Sequence, residues 1–213
     1  MTTPAAPEPT RQRVPAAERR DALITAAVHQ FAQGGLTGTP VDRIAREVGV
    51  AQPYVFSLFP TKRDLFLAAV QRSFEHTADL FERAAAEYDD GQAPADVDDK
   101  LQAMGRAYKE MLATDRDRAW LMIQHQAFAA CYDEVVRARV RDLFADLMLR
   151  AQRLSGVEAE RIEEFFRYGM SLNVAAALGV DSLSVESDWV VGHAGAAPAQ
   201  SARPAHLEDP VGS

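Results

Sequence analysis

Glycine and proline fall along residues 34–61 at intervals that leave room only for short helices. Gly34-Gly35, Thr39-Pro40, Gly49, Pro53 and Pro60 cut this stretch into pieces of about ten residues or fewer. Glycine ends a helix because it enters the left-handed conformation without a Cβ penalty. Proline has no N–H and is tolerated only in a first turn. Between these breaks the apolar residues keep helical spacing. Leu23, Ala27 and Phe31 form one stripe with Ile24 and Val28 beside it, then come Val41, Ile44 and Ala45, then Val55, Phe56 and Phe59. The pattern predicts a helix over 15–33 ended by Gly34-Gly35. It predicts a second helix with Thr39 as N-cap and Pro40 at its first position, broken by Gly49. A third follows over 52–58 with Pro53 in its first turn. Two short helices joined by a tight glycine turn, behind a longer supporting helix, make the helix-turn-helix plan. In that plan the second short helix carries its N-terminal side chains into the major groove of DNA.

From Thr61 onward the chain reads as helix after helix. A long fourth helix is predicted over 62–88, with Leu65, Phe66, Ala69, Val70 and Phe74 inward, and then a loop over 89–94. Further helices are predicted over 95–113, 117–130, 132–154 and 158–178, and Trp189, Val190 and Val191 suggest a short ordered extension. Residues 1–15 contain four prolines and read as a disordered leader, and residues 192–213, rich in Ala, Gly, Pro and Ser, as a flexible tail. The expected fold class is all-α. An N-terminal three-helix head over 16–61 precedes a helical regulatory and dimerisation body over 62–191.

Charge narrows the function classes. The chain of 213 residues has a net charge of −8, which argues against coating nucleic acid or membrane by bulk attraction. Residues 1–60 hold six arginines against five carboxylates, so the acidity resides in the remainder. Any nucleic-acid contact is therefore expected at the head. Cys131 is the sole cysteine, which leaves no intrachain disulfide and no multi-cysteine metal site; it reads as a buried helical residue, with a redox role as the minor alternative. No apolar run suits a signal peptide or a membrane span, so the cytoplasm is the expected location. Phosphate-loop, dinucleotide, nucleophile-elbow and HExxH motifs are all missing, and the five histidines are scattered, which speaks against an enzyme. No cofactor or metal is expected.

The run from Arg19 to Val70 resembles the DNA-binding domain of the TetR (tetracycline-repressor-like) family. The matching residues are Ala26-Ala27, Phe31, Gly35, Thr39-Pro40-Val41, Ile44-Ala45, Val48-Gly49-Val50, Phe59-Pro60-Thr61-Lys62, Leu65 and Phe66. The sequence departs from the family at Gln52-Pro53-Tyr54, where Lys-Gly-Thr is common, and at Phe56, Ser57 and Leu58. By position, Gln52, Tyr54 and Ser57 are the candidates for reaching DNA from the third helix, since Gln suits an adenine edge and Tyr a phosphate or a thymine methyl. Arg43 projects from the second helix. The resemblance assigns Thr37, Thr39 and Lys62 to phosphate contacts.

The same resemblance implies a homodimer on a palindromic operator, released by a small apolar effector, most often as a repressor. For the effector pocket the candidates are Met104, Tyr108, Met111, Trp120, Gln124, His125, Phe128, Phe165, Tyr168 and Asn173, an apolar set with sparse polar anchors. For the dimer interface they are Val136, Val140, Phe144, Leu147, Phe166, Met170 and Val174. Both sets also fit plain core filling. The competing readings are a helical interaction protein whose head binds another protein, and a DNA binder without a ligand.

Overall fold

The computed structural model describes residues 15–113 and 117–195, and among them every regular element is a helix. The order is α1 (Ala16–Gly38), α2 (Val41–Val48), α3 (Gln52–Leu58), α4 (Lys62–Asp89), α5 (Lys100–Leu112), α6 (Arg118–Ala129), α7 (Glu134–Ser155), α8 (Ala159–Leu178) and α9 (Asp188–Gly195). The expected leader and most of the expected tail lie outside the described residues. The extension foreseen at Trp189–Val191 is α9.

Local chemistry sets most boundaries. Gly49 takes the left-handed conformation after α2, and its N–H donates to the Ala45 and Arg46 carbonyls. Thr61 starts α4 with a reciprocal capping box: its Oγ1 accepts from the Asp64 N–H at 3.1 Å, and the Asp64 carboxylate accepts from the Thr61 N–H at 2.9 Å. Gly156 and Gly179 end α7 and α8 in left-handed conformations.

Three boundaries differ from expectation. Gly35 kinks α1 without ending it, and the helix resumes to Gly38. Thr39 is not the cap of α2. Pro40 holds that position, and Thr39 is buried, its hydroxyl donating to the Gln30 carbonyl at 3.2 Å. Gly34 makes room for it, since a Cβ there would stand 2.5 Å from Thr39 Oγ1. Finally, α5 begins at Lys100 rather than 95, because the Asp99 carboxylate accepts the Gln102 N–H at 2.9 Å.

The core is one continuous apolar cluster that runs from α1, α2 and α3 through α4 into the later helices. Phe31 of α1 meets Phe66 of α4 edge to face, with centroids 5.1 Å apart. Polar ties supplement this packing. Arg72 of α4 reaches Asp21 of α1 at 2.6 Å. Arg63 pairs at 3.0 Å with Asp133, whose other oxygen caps α7 by accepting the Val135 and Val136 N–H groups. These contacts hold the Asp133 carboxyl below its ordinary pKa, the Arg63 hydrogen bond most of all.

Helix α6 packs against both α1 and α4, and it meets α1 at the kink. Gln126 Nε2 lies 3.5 Å from the Ala32 carbonyl, and its Oε1 occupies the space beside Gly35. Gly35 has φ 62° and ψ −176°, a region open essentially to glycine alone. Gly35→Ala is therefore expected to lower stability by about 1–3 kcal/mol, read as a lower urea midpoint with unchanged slope.

Candidate DNA-binding face and ligand cavity

The head presents one face of α3. Val55 is buried against the residues that hold α2 and α3 together, Ile44 and Ala45, and this turns Gln52, Phe56 and Ser57 outward. Gln52 is exposed, and among the described residues its amide has no hydrogen-bond partner. Tyr54 is half-buried beneath Arg19, whose guanidinium carbon sits 5.7 Å from the ring centroid. Ser57 donates to the Tyr54 carbonyl at 2.7 Å. Arg43 is exposed on α2, clear of the Arg46–Asp42 pair beside it.

At the start of α4, the Lys62 ammonium donates to the Thr37 carbonyl at 2.9 Å, and partial burial depresses its pKa. Thr37 and Lys62 thus come together at one corner of the head, with Thr37 exposed. Thr39 does not join them, because its buried hydroxyl is engaged with Gln30; the sequence expectation for it is corrected. Two arginines went unnoticed in the sequence. Arg19 covers Tyr54, and Arg20 lies 4.9 Å above the Phe59 ring. Their signal was an Arg-Arg pair one helix away from the aromatic residues they cover.

Between α4, α5, α6, α7 and α8 the body holds a small, partly open cavity of about 40 Å³. Of the ten residues proposed for a pocket, Tyr108, Gln124, Phe165, Tyr168 and Asn173 line it. Met104 and Met111 are buried core, Trp120 stacks on His76 at 4.6 Å, and His125 contacts the Asn173 carbonyl. Phe128 faces a separate groove beside Cys131 and Met148. These five are removed from the lining. Thr77, Phe81, Gly105 and Leu172 join it instead.

Four residues expected at a dimer interface, Phe144, Leu147, Phe166 and Met170, also line the cavity. Val136 and Val140 are buried within the protomer, which leaves Val174, 40% exposed, as the expected interface residue that faces outward. Helix α7 packs on α4. Cys131 is half-buried and its thiol donates to the Ala127 carbonyl.

The cavity's polar groups are paired with one another. The Tyr108 hydroxyl donates to Asn173 Oδ1 at 2.6 Å, and Gln124 Nε2 donates to Thr77 Oγ1 at 3.2 Å. Around them stand the rings of Phe81, Phe144, Phe165 and Phe166, in edge contacts at 5.5–5.7 Å along the chain Phe81–Phe165–Phe166–Phe144. Burial pushes the Tyr108 phenol up to about 12, against a smaller opposing effect of the Asn173 hydrogen bond.

Head and body together define a helix-turn-helix transcription regulator, and comparisons with known proteins agree. Residues 23–69 match the model of the bacterial regulatory proteins, tetR family. Over 179 residues the chain is 26% identical to the HTH-type transcriptional activator FasR of Mycolicibacterium smegmatis, covering 82% of this chain and 73% of that protein. The fold is shared with the multidrug binding protein EbrR complexed with imidazole, at TM-score 0.59 and 18% identity over 78% of this chain and 88% of that one. It is shared equally with the fatty acid degradation regulator FadR of Bacillus halodurans, at TM-score 0.59 and 18% identity over 79% and 88%. In its 23–69 segment and in its fold the chain is similar to the TetR family of DNA-binding transcription regulators. No described helix is long and apolar enough to cross a membrane.

The raised phenol gives a pH prediction. A folded-state pKa above the ordinary value of 10 means that the folded chain holds this proton longer than the unfolded chain does. The associated stability is complete below pH 10 and lost as pH rises toward 12, by about 2–3 kcal/mol. Tyr108→Phe is expected to remove this part of the alkaline slope in denaturant titrations at pH 9 to 11.5. It also lowers stability at neutral pH by about 1–3 kcal/mol, because Asn173 loses its partner.

Proposed function

We propose that this regulator binds a palindromic operator as a homodimer, and that an effector in the cavity between α4 and α8 changes its affinity for that operator. The observation that carries the reading is the double role of α4. Its first turn holds the head, through Lys62 on the Thr37 carbonyl and Phe66 on Phe31. Its middle walls the cavity, through Thr77 and Phe81. About 22 Å of continuous helix separates Lys62 from Thr77. A ligand that displaces Thr77 or Phe81 moves a rigid rod whose far end aims α3. In a dimer, small rotations of two such rods change the spacing of two recognition helices. The multidrug binding protein EbrR, which shares this fold and has been crystallised with proflavin as well as with imidazole, supports a small-molecule site in a body of this kind.

Dimerisation is supported by α8. Only Ile162, Asn173 and Ala175 of its twenty residues are buried, while Tyr168, Val174 and Leu178 are 60%, 40% and 60% exposed. The occupied operator excludes polymerase when it overlaps a promoter, which is the repressor reading. FasR is named an activator, so a reporter assay with the operator placed upstream or across the promoter decides the sign. As a DNA-binding regulator it would act in the cytoplasm.

Selection of bound DNA from a random pool tests the reading directly, and two half-sites in inverted repeat are expected. A protein that retains no sequence overturns it. On the selected site, Gln52→Ala and Tyr54→Ala are each expected to weaken binding roughly tenfold with the melting temperature held. Thr39→Ser is expected to leave DNA affinity unchanged. Val174→Arg is expected to shift sedimentation from dimer to monomer, with DNA affinity falling alongside.

A further inference from the structure

Helix α3 has little of its own to hold it in place. It has seven residues, of which Val55 alone is buried, and no side chain caps its first turn. A helix of two turns takes its position from what packs on it rather than from its own hydrogen bonds. Two neighbouring arginines of α1 supply such packing at both ends. Arg19 lies over the ring of Tyr54, in the first turn of α3, with its guanidinium carbon 5.7 Å from the centroid. Arg20 lies over the ring of Phe59, the residue that ends α3, at 4.9 Å.

Both guanidinium groups are free to stay on their rings. Neither arginine forms an ion pair among the described residues, and Asp21, the carboxylate that follows them, is held by Arg72 at 2.6 Å. A planar guanidinium stacks on an aromatic face in a way that an ammonium does not. The two rings differ in what they can reach. Phe59 is buried and reads no base. Tyr54 is half-buried, and among the described residues its hydroxyl has no hydrogen-bond partner. Its ring turns as a unit about two side-chain bonds, and a cation over one face favours a single orientation.

We propose that Arg19 is a specificity-determining residue that acts through Tyr54: stacked on the ring, it sets the angle at which the Tyr54 edge meets a base pair, without itself holding a phosphate. It is a positioning residue for recognition. Arg20 steadies the other end of α3 and has no part in base choice. The proposal rests on the reading of α3 as the recognition helix.

The test uses the full-length protein, first without DNA. The Arg19 side-chain protons are expected upfield of the ordinary arginine range, a ring-current shift that Tyr54→Ala abolishes. Selection from a random DNA pool then compares variants. Arg19→Ala is expected to relax the preference at the same base pair of each half-site that Tyr54→Ala relaxes, and to weaken binding roughly threefold. Arg20→Ala, which removes the same charge one residue along, is expected to weaken all sites alike. The double variant Arg19→Ala with Tyr54→Ala is expected to bind about tenfold more weakly than the unsubstituted protein, as Tyr54→Ala does alone, where independent effects would give about thirtyfold. Arg19→Met keeps the length and helical propensity of the side chain, is expected to match Arg19→Ala, and serves if alanine loosens α1. Ordinary Arg19 shifts, an unchanged base preference, or an additive double variant each overturn the proposal. So does a salt dependence of binding that falls by about 2 in slope with Arg19→Ala, because that marks one phosphate contact per head in a dimer. If the unsubstituted protein selects no sequence, the operator reading fails and takes the role of the stack with it; if it selects one and Arg19→Ala selects the same, the stack alone fails.

Discussion

Everything at a distance in this molecule depends on how α4 is anchored in the head. The edge-to-face contact of Phe66 with Phe31 joins the head to the long helix through two large, fully buried side chains. A contact of this kind carries about 0.5–1.5 kcal/mol beyond the burial of the rings themselves. Its value lies in its geometry: rings packed at 85° resist sliding, so the direction of α4 and the direction of the head are a single variable. The Thr61–Asp64 capping box fixes where that variable begins, and the Lys62 bond to the Thr37 carbonyl stops the first turn from fraying.

Within the body, polar pairs and packed rings tie the helices together. Its interior polar groups are satisfied in pairs across helices, Tyr108 with Asn173 and Gln124 with Thr77. Each pair spans two elements, α5 with α8 and α6 with α4, so a guest that inserts a hydrogen-bonding group must reorganise an inter-helix bond. The aromatic chain from Phe81 to Phe144 conducts the same disturbance by shape, since a close-packed set of rings repacks as a unit.

The head was legible in the sequence because its punctuation is backbone chemistry. Gly49, Pro53, Pro60 and Thr61 act through φ, a missing N–H or a local cap, and none of these needs knowledge of the tertiary fold. Thr39 was misread for the opposite reason. As a sequence it is an excellent cap, but the space beside Gly34 offers it a buried carbonyl, and tertiary burial won over local preference. Asp99 shows the converse, a local cap that the apolar pattern alone overran. In the body, periodicity separated inward from outward faces, yet two inward destinations exist. Phe144, Leu147, Phe166 and Met170 point to the cavity and Val136 and Val140 to the core, and no spacing rule tells these apart from an interface. Trp120 and His125 were chosen for their chemistry. Their partners, His76 and the Asn173 backbone, lie about 45 residues away in sequence, beyond the reach of any local pattern.

The seat of Gln126 against the kink at Gly35 bears on how the chain comes apart. A helix from the centre of the body closes the end of α1, and the apolar cluster does not divide between residues 61 and 62. The 23–69 segment that carries the family signature is therefore expected not to fold on its own. Excised, it would uncover the flanks of Ala32 and Gly35 that α6 now shields. Head and body should melt in one cooperative step, and amides of α1 and α6 should share a single opening free energy in hydrogen exchange. An exchange of bodies between relatives that cuts the chain at the head's last residue would break this unit. A cut that respects it has to carry α6 along with the head it supports.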